Sequence, residues 1–69
     1  MFLSMANIGE ENTIRRIGGN YKTKTFLEGL GFVAGGNVTV VSNISGNIIV
    51  KIKEARVALN RDMANKIMI

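Results

Sequence analysis

The chain contains no cysteine, no histidine, no proline and no tryptophan, with a single tyrosine and three phenylalanines in 69 residues. Without cysteine there is no disulfide framework, no thiolate metal site and no thiol nucleophile. Without histidine or cysteine, neither a two-histidine-one-carboxylate iron site nor a zinc tetrahedron of the usual ligands can form. The remaining hard ligands are Glu10, Glu11, Glu28, Glu54 and Asp62. Glu10 and Glu11 are neighbours, so in an extended segment their side chains face opposite ways and chelate poorly. Ser4, Ser42 and Ser45 have no histidine to act as a base, which argues against hydrolytic chemistry. The sequence therefore calls for no enzyme activity, no cofactor and no native metal site. Met1, Met5, Met63 and Met68 read as gap fillers of a small core and not as soft metal ligands. No apolar run reaches the eighteen or so residues of a membrane span, and Met1 to Ile8 lacks the basic start and apolar centre of a signal peptide. A cytoplasmic protein with no direct membrane insertion is expected.

What is present is 46% hydrophobic residues, eight glycines and a formal net charge of +4. The cations form no run longer than the pair Arg15-Arg16. Charge therefore permits an acidic partner without identifying one.

The segment from Leu27 to Val40 is the most informative. Thr23, Phe26, Leu27 and Leu30 fall at i, i+3, i+4 and i+7, which predicts the apolar stripe of a short helix. Val38 and Val40 alternate with polar Asn37 and Thr39, as in a half-buried strand. Between them Gly31 suits the position after the last helical residue, where a positive φ carries no Cβ clash, and Phe32 can fold back onto Leu27 in a Schellman ending. The helix is expected from about Tyr21 to Leu30, with Asn20 as its N-cap.

Upstream, Leu3 to Glu10 reads as one helical turn opened by Ser4 and stopped at Gly9, a lid on one end of the domain. Thr13 to Ile17 is expected as a first strand, with a bulge before Gly18-Gly19 because Ile14 and Ile17 break strict alternation. Downstream of the Ala34-Gly35-Gly36 turn come strands over 37–43, 47–53 and 56–59, separated by Ser45-Gly46 and Glu54-Ala55. Ile48, Val50, Ile52, Val57 and Leu59 point inward; Ile49, Lys51, Lys53, Arg56 and Ala58 point outward. Asn60 caps one helical turn, and residues 67–69 form a last short strand. The expected architecture is mainly β: a single domain over residues 1–69, an SH3-like barrel of about five antiparallel strands with one short helix after the first and helical turns near both ends. An OB-fold is the competing arrangement, but its strands are longer and its helix comes later.

Four blocks give the chain a family resemblance. They are Leu3-Ser4 with Gly9-Glu10; Leu27-Glu28-Gly29-Leu30-Gly31-Phe32 with Gly35; Val38 and Val40; and Arg56-Val57-Ala58-Leu59 with Ala64-Asn65-Lys66-Ile67. In order and spacing these resemble the ferrous iron transport protein A (FeoA) family. The C-terminal SH3-like domain of diphtheria-toxin-repressor-type regulators shares much of the pattern, but it follows a helix-turn-helix absent here. Family members commonly carry Pro where Ile8 and Ala34 stand, and Gly in the loop of Glu54-Ala55. The resemblance implies a small cytoplasmic accessory that docks on the cytoplasmic part of an FeoB-type transporter, a permease with a GTPase domain. It would sit at the inner face of the membrane through that partner.

On this reading the candidate contacts are Tyr21, Lys24 and Glu28 on the outer side of the helix, the corner Leu30, Gly31 and Phe32, and the outward Lys51, Lys53 and Arg56. Gly9, Gly31, Gly35, Gly46 and Asn60 are expected to be structural turns and caps. With one tyrosine and no tryptophan, a proline-rich-peptide groove is not expected, and docking through a β-edge or a helix face fits better. Phe26 belongs to the helix's apolar stripe and Phe32 to the cap contact, leaving Tyr21 as the free aromatic. Two other roles compete: nucleic-acid binding by a basic barrel, and weak self-association in which outward Ile49 takes part.

Overall fold

A computed structural model describes all residues from Met1 to Ile69. A 3-10 turn at Leu3–Met5 opens the chain, followed by β1 (Glu11–Thr13), β2 (Arg16–Ile17), α1 (Tyr21–Gly29), β3 (Asn37–Ile44), β4 (Asn47–Ile52), β5 (Ala55–Asn60), α2 (Arg61–Ala64) and β6 (Ile67–Met68). The strands form a four-stranded sheet in the order β1-β3-β4-β5 and a two-stranded sheet of β2 with β6. Every pairing is antiparallel.

There are six strands where about five were expected, because the first expected strand is two. β1 pairs with β3 and β2 pairs with β6, so the chain leaves one sheet and enters the other at Ile14-Arg15. Backbone bonds fix the crossing. Ile14 N–H donates to Gly36 and its carbonyl accepts from Gly35, while Arg15 N–H donates to Met68. The three-residue spacing of Ile14 and Ile17, expected as a bulge, instead marks this step, and both side chains are buried. A true bulge lies in β3, where Val40 pairs with Val50 but Ser42 pairs with Ile49, leaving Val41 as the extra residue. Such an insertion bends the strand and increases its twist.

The β3–β4 hairpin closes over Ser45 and Gly46, at φ 51° and 82°. A two-residue loop with both central residues in the left-handed region matches the twist of its strands. The β4–β5 hairpin closes over Lys53 and Glu54, not over Glu54-Ala55, and places Lys53 at φ 54°. Lys53 thus belongs to the turn and not to the strand. A side chain there meets the following carbonyl, a cost glycine avoids. Lys53→Gly is expected to stabilise the domain by up to about 1 kcal/mol, raising Tm by about 4–8 °C in thermal unfolding.

The N-terminal turn also differs from expectation. It is a 3-10 turn preceded by Phe2 with no side-chain cap, and Ser4 lies inside it, donating its hydroxyl to Asn65 Oδ1. That bond ties the turn to the far end of the chain. Gly9 sits beyond it at φ 86° and donates its N–H to Val40. Asn60 caps α2 as expected, accepting from Met63 N–H at 2.8 Å.

One cluster of 14 buried residues forms the core, all of them apolar. Val38 and Val40 from β3, Ile48, Val50 and Ile52 from β4, and Leu59 from β5 supply its sheet side. Leu3, Leu27, Phe32 and Ala64 cover it from the turns and helices, and Ile17 and Ile67 from the β2–β6 pair. Val57 and Met63 are half-buried against the cluster. Met1 and Met5 are 58% and 65% exposed, so these two do not fill gaps.

Candidate functional site

The helix-to-strand corner is built as its sequence dictates. Asn20 accepts from Thr23 N–H at 2.8 Å and opens α1. At the other end Gly31 N–H donates to Glu28 and Phe32 N–H to Leu27, at 3.0 and 3.1 Å, with Gly31 at φ 107°. This is the paired bonding of a Schellman motif. Leu27 and Phe32, its expected hydrophobic pair, are both fully buried. The corner abuts the end of β4, since a Cβ built on Gly31 would lie 3.9 Å from the Ile52 side chain.

Burial sorts the candidate contacts. Phe32 has no exposed surface, so it cannot touch a partner and its role is structural. Leu30 is 37% exposed at the helix C-cap, and Tyr21 is 85% exposed. Tyr21, Lys24 and Glu28, at helical spacings of three and four, share one solvent-facing side of α1. The apolar stripe is only partly a core stripe. Leu27 is the single buried residue of the helix, and Phe26 is 53% exposed. Phe26 instead lines a shallow depression of about 340 Å³ with Lys22, Thr23 and Met63. Periodicity alone could not separate Phe26 from Leu27, because it reports which side of a helix is apolar and not how deeply the helix is seated.

The outward face of the large sheet gathers the basic candidates. Strand register places Glu11, Thr39, Lys51 and Arg56 in one lateral row, each directly opposite the next. Lys51 and Arg56 are therefore a cross-strand pair of like charges, an arrangement that works against sheet stability. Lys53 extends the positive region at the hairpin tip. Glu11, Asn37, Thr39, Lys51 and Lys53 surround an open polar depression of about 330 Å³. Another open depression, about 310 Å³, lies between Met1, Arg15, Arg16, Met68 and Ile69, where the Arg16 guanidinium is 3.3 Å from Met68 Sδ. The dibasic Arg15-Arg16 is the feature of the sequence that could have marked this depression, whereas the methionines beside it come from distant parts of the chain.

No three acidic side chains gather into a cluster able to hold a metal ion. No helix is long and apolar enough to cross a membrane. What the fold displays is relief and charge on a small β-barrel, with no enclosed pocket among its three depressions.

The FeoA domain model matches residues 1–69, and the chain belongs to that family. Stenotrophomonas maltophilia FeoA complexed with zinc, described as a prokaryotic SH3 domain protein, superposes with a TM-score of 0.87 at 24% identity, over 99% of this chain and 87% of that one. Iron(II) transport protein A from Clostridium thermocellum gives a TM-score of 0.92 at 27% identity, over 99% of this chain and 43% of that one. A manganese-dependent transcriptional repressor gives 0.87 at 23% identity, over 97% of this chain and 39% of that one. The chain thus spans less than half of the latter two proteins, and the expected SH3-like barrel is the fold. No curated protein matches it.

Proposed function

We propose that the protein is a non-catalytic accessory of a ferrous iron uptake system, docking on the cytoplasmic part of an FeoB-type transporter and altering its activity. The observation that carries this reading is the match of the whole chain to the FeoA domain. Iron transport is the role named for the Clostridium relative, and the Stenotrophomonas protein has been advanced as an activating factor for ferrous iron transport. The surface supports a docking role. Exposed apolar Phe26 and Leu30 and the basic row of the sheet offer contacts, while no histidine or cysteine is available for metal chemistry.

Calorimetric titration of the transporter's cytoplasmic domain with this protein tests the reading, with and without guanine nucleotide. Saturable binding is expected at micromolar concentrations. Heat no larger than dilution up to high micromolar, in both nucleotide states, would remove the reading.

A further inference from the structure

We propose that the free edge of β5 is a docking site for an extended, acidic protein segment, which adds to the sheet as a further strand with its carboxylates on Arg56 and Lys51.

β5 is the last strand of the sheet order, with no strand on its outer side. Its two-residue hairpin with β4 closes on the pair Ile52 and Ala55. Such a hairpin closes on a hydrogen-bonded pair, and pairs then alternate, so Ala55, Val57 and Leu59 bond to β4 while Arg56 and Ala58 aim their N–H and C=O away from it. No backbone bond beyond the sheet ladder involves residues 55–59. Two donors and two acceptors therefore stand in a row at strand spacing, and the side chains above them, Arg56 and Ala58, are exposed.

Charge selects the occupant. Lys51 and Arg56 face each other, and Lys53 lies just beyond at the turn. Glu11, the carboxylate of their row, lies three strands from Arg56, about 14 Å at the usual strand spacing, which exceeds a Debye length of about 8 Å. Glu11 borders the depression of Lys51 and Lys53, and Glu54 lies at the turn, so two carboxylates stand against three cations and neither lies opposite Arg56. An incoming strand with a carboxylate opposite Arg56 would relieve the like-charge pair while satisfying the open backbone groups. A second copy of this chain would bring the same cations to the seam. A nucleic acid cannot extend a sheet, and no aromatic side chain on β3, β4 or β5 is present to stack a base. The inference rests on the docking reading only for which protein owns the segment.

The test uses the full chain, labelled with nitrogen-15, and two ten-residue peptides, one alternating Glu with Thr and one alternating Lys with Thr. The Glu-Thr peptide is expected to shift the amides of 55–60 in a salt-sensitive manner and to slow exchange of the Arg56 and Ala58 N–H groups. The Lys-Thr peptide is expected to leave them unchanged. Arg56→Glu should weaken the Glu-Thr complex about tenfold or more, as removal and reversal of a charged contact does. Ala58→Pro keeps the charges but removes an outward N–H, and should abolish the exchange protection. Absence of β5 shifts at millimolar Glu-Thr peptide overturns the inference, as does an Ala58→Pro variant that binds as well as wild type. Concentration-dependent β5 shifts without peptide, or stronger shifts of the same amides by duplex DNA, also overturn it. If β5 binds the Glu-Thr peptide while the transporter domain gives no heat, the edge site stands and the transporter reading falls. If the transporter domain binds with β5 amides unmoved and the peptide fails, the reverse holds.

Discussion

Phe32→Ala is expected to destabilise the domain by about 3–5 kcal/mol, the usual cost of truncating a buried phenylalanine. Phe32 is fully buried and is the largest of the completely enclosed side chains. It packs immediately after the helix, so its loss opens a cavity at the junction of α1, the β4 end and the sheet interior, where Gly31 already approaches Ile52. A domain of this length has a total stability of about 3–10 kcal/mol, so the variant should lose from about a third to all of it. Urea denaturation followed by circular dichroism measures this. Tyr21→Ala is the control: 85% exposed, it should change stability by no more than about 0.5 kcal/mol. Phe32→Ala unfolding at the wild-type urea midpoint would show that the corner is not anchored as described.

Gly31→Ala and Gly29→Ala, two residues apart, are expected to have opposite signs. Gly31 holds φ at 107°, a conformation that a Cβ strains, and alanine there should cost about 1–3 kcal/mol. Space is not the cause, since the nearest atoms to an added Cβ are at 3.9 Å, ordinary contact. Gly29 is inside α1 with nothing within 4 Å of an added Cβ, so alanine should stabilise by up to about 1 kcal/mol through helix propensity. Urea midpoints for the pair, with unchanged slopes, check both. Equal effects of the same sign would deny the left-handed corner.

The contrast between these glycines was legible in the sequence because everything that builds the corner lies within thirteen residues: Asn20 at one end, the Leu27–Phe32 pair at the other, Gly31 between. The alternation of Ile48, Val50 and Ile52 was legible for the same reason. The split of the first strand was not. Its two halves pair with β3 and with β6, whose residues lie far downstream, and only their arrival decides where the chain changes sheets. The positive φ of Lys53 was hidden too, because no local preference calls for lysine there; the length of the hairpin imposes it. Among candidate contacts, Phe32 was lost to the core, while Lys51 and Arg56 gained a relation that spacing could not show, since two residues five apart become neighbours only through the hairpin register. Exposed residues carry little periodic signature, so docking surfaces are the least readable part of such a chain.

The N-terminal amine donates to the Ile69 carbonyl at 3.2 Å, and Ile69 N–H donates to the Met1 carbonyl at 2.8 Å, so the two ends of this backbone lie side by side. A peptide bridge of a few residues would join them into a ring with little distortion, and a break could then be opened at the Ser45-Gly46 hairpin, where Ser45 is exposed. In such a permuted chain β3 and β4 would no longer be joined by their short loop. Pairing of β3 with β4 would then rest on contacts between opposite ends of the new chain, while the β4–β5 hairpin would keep its short loop.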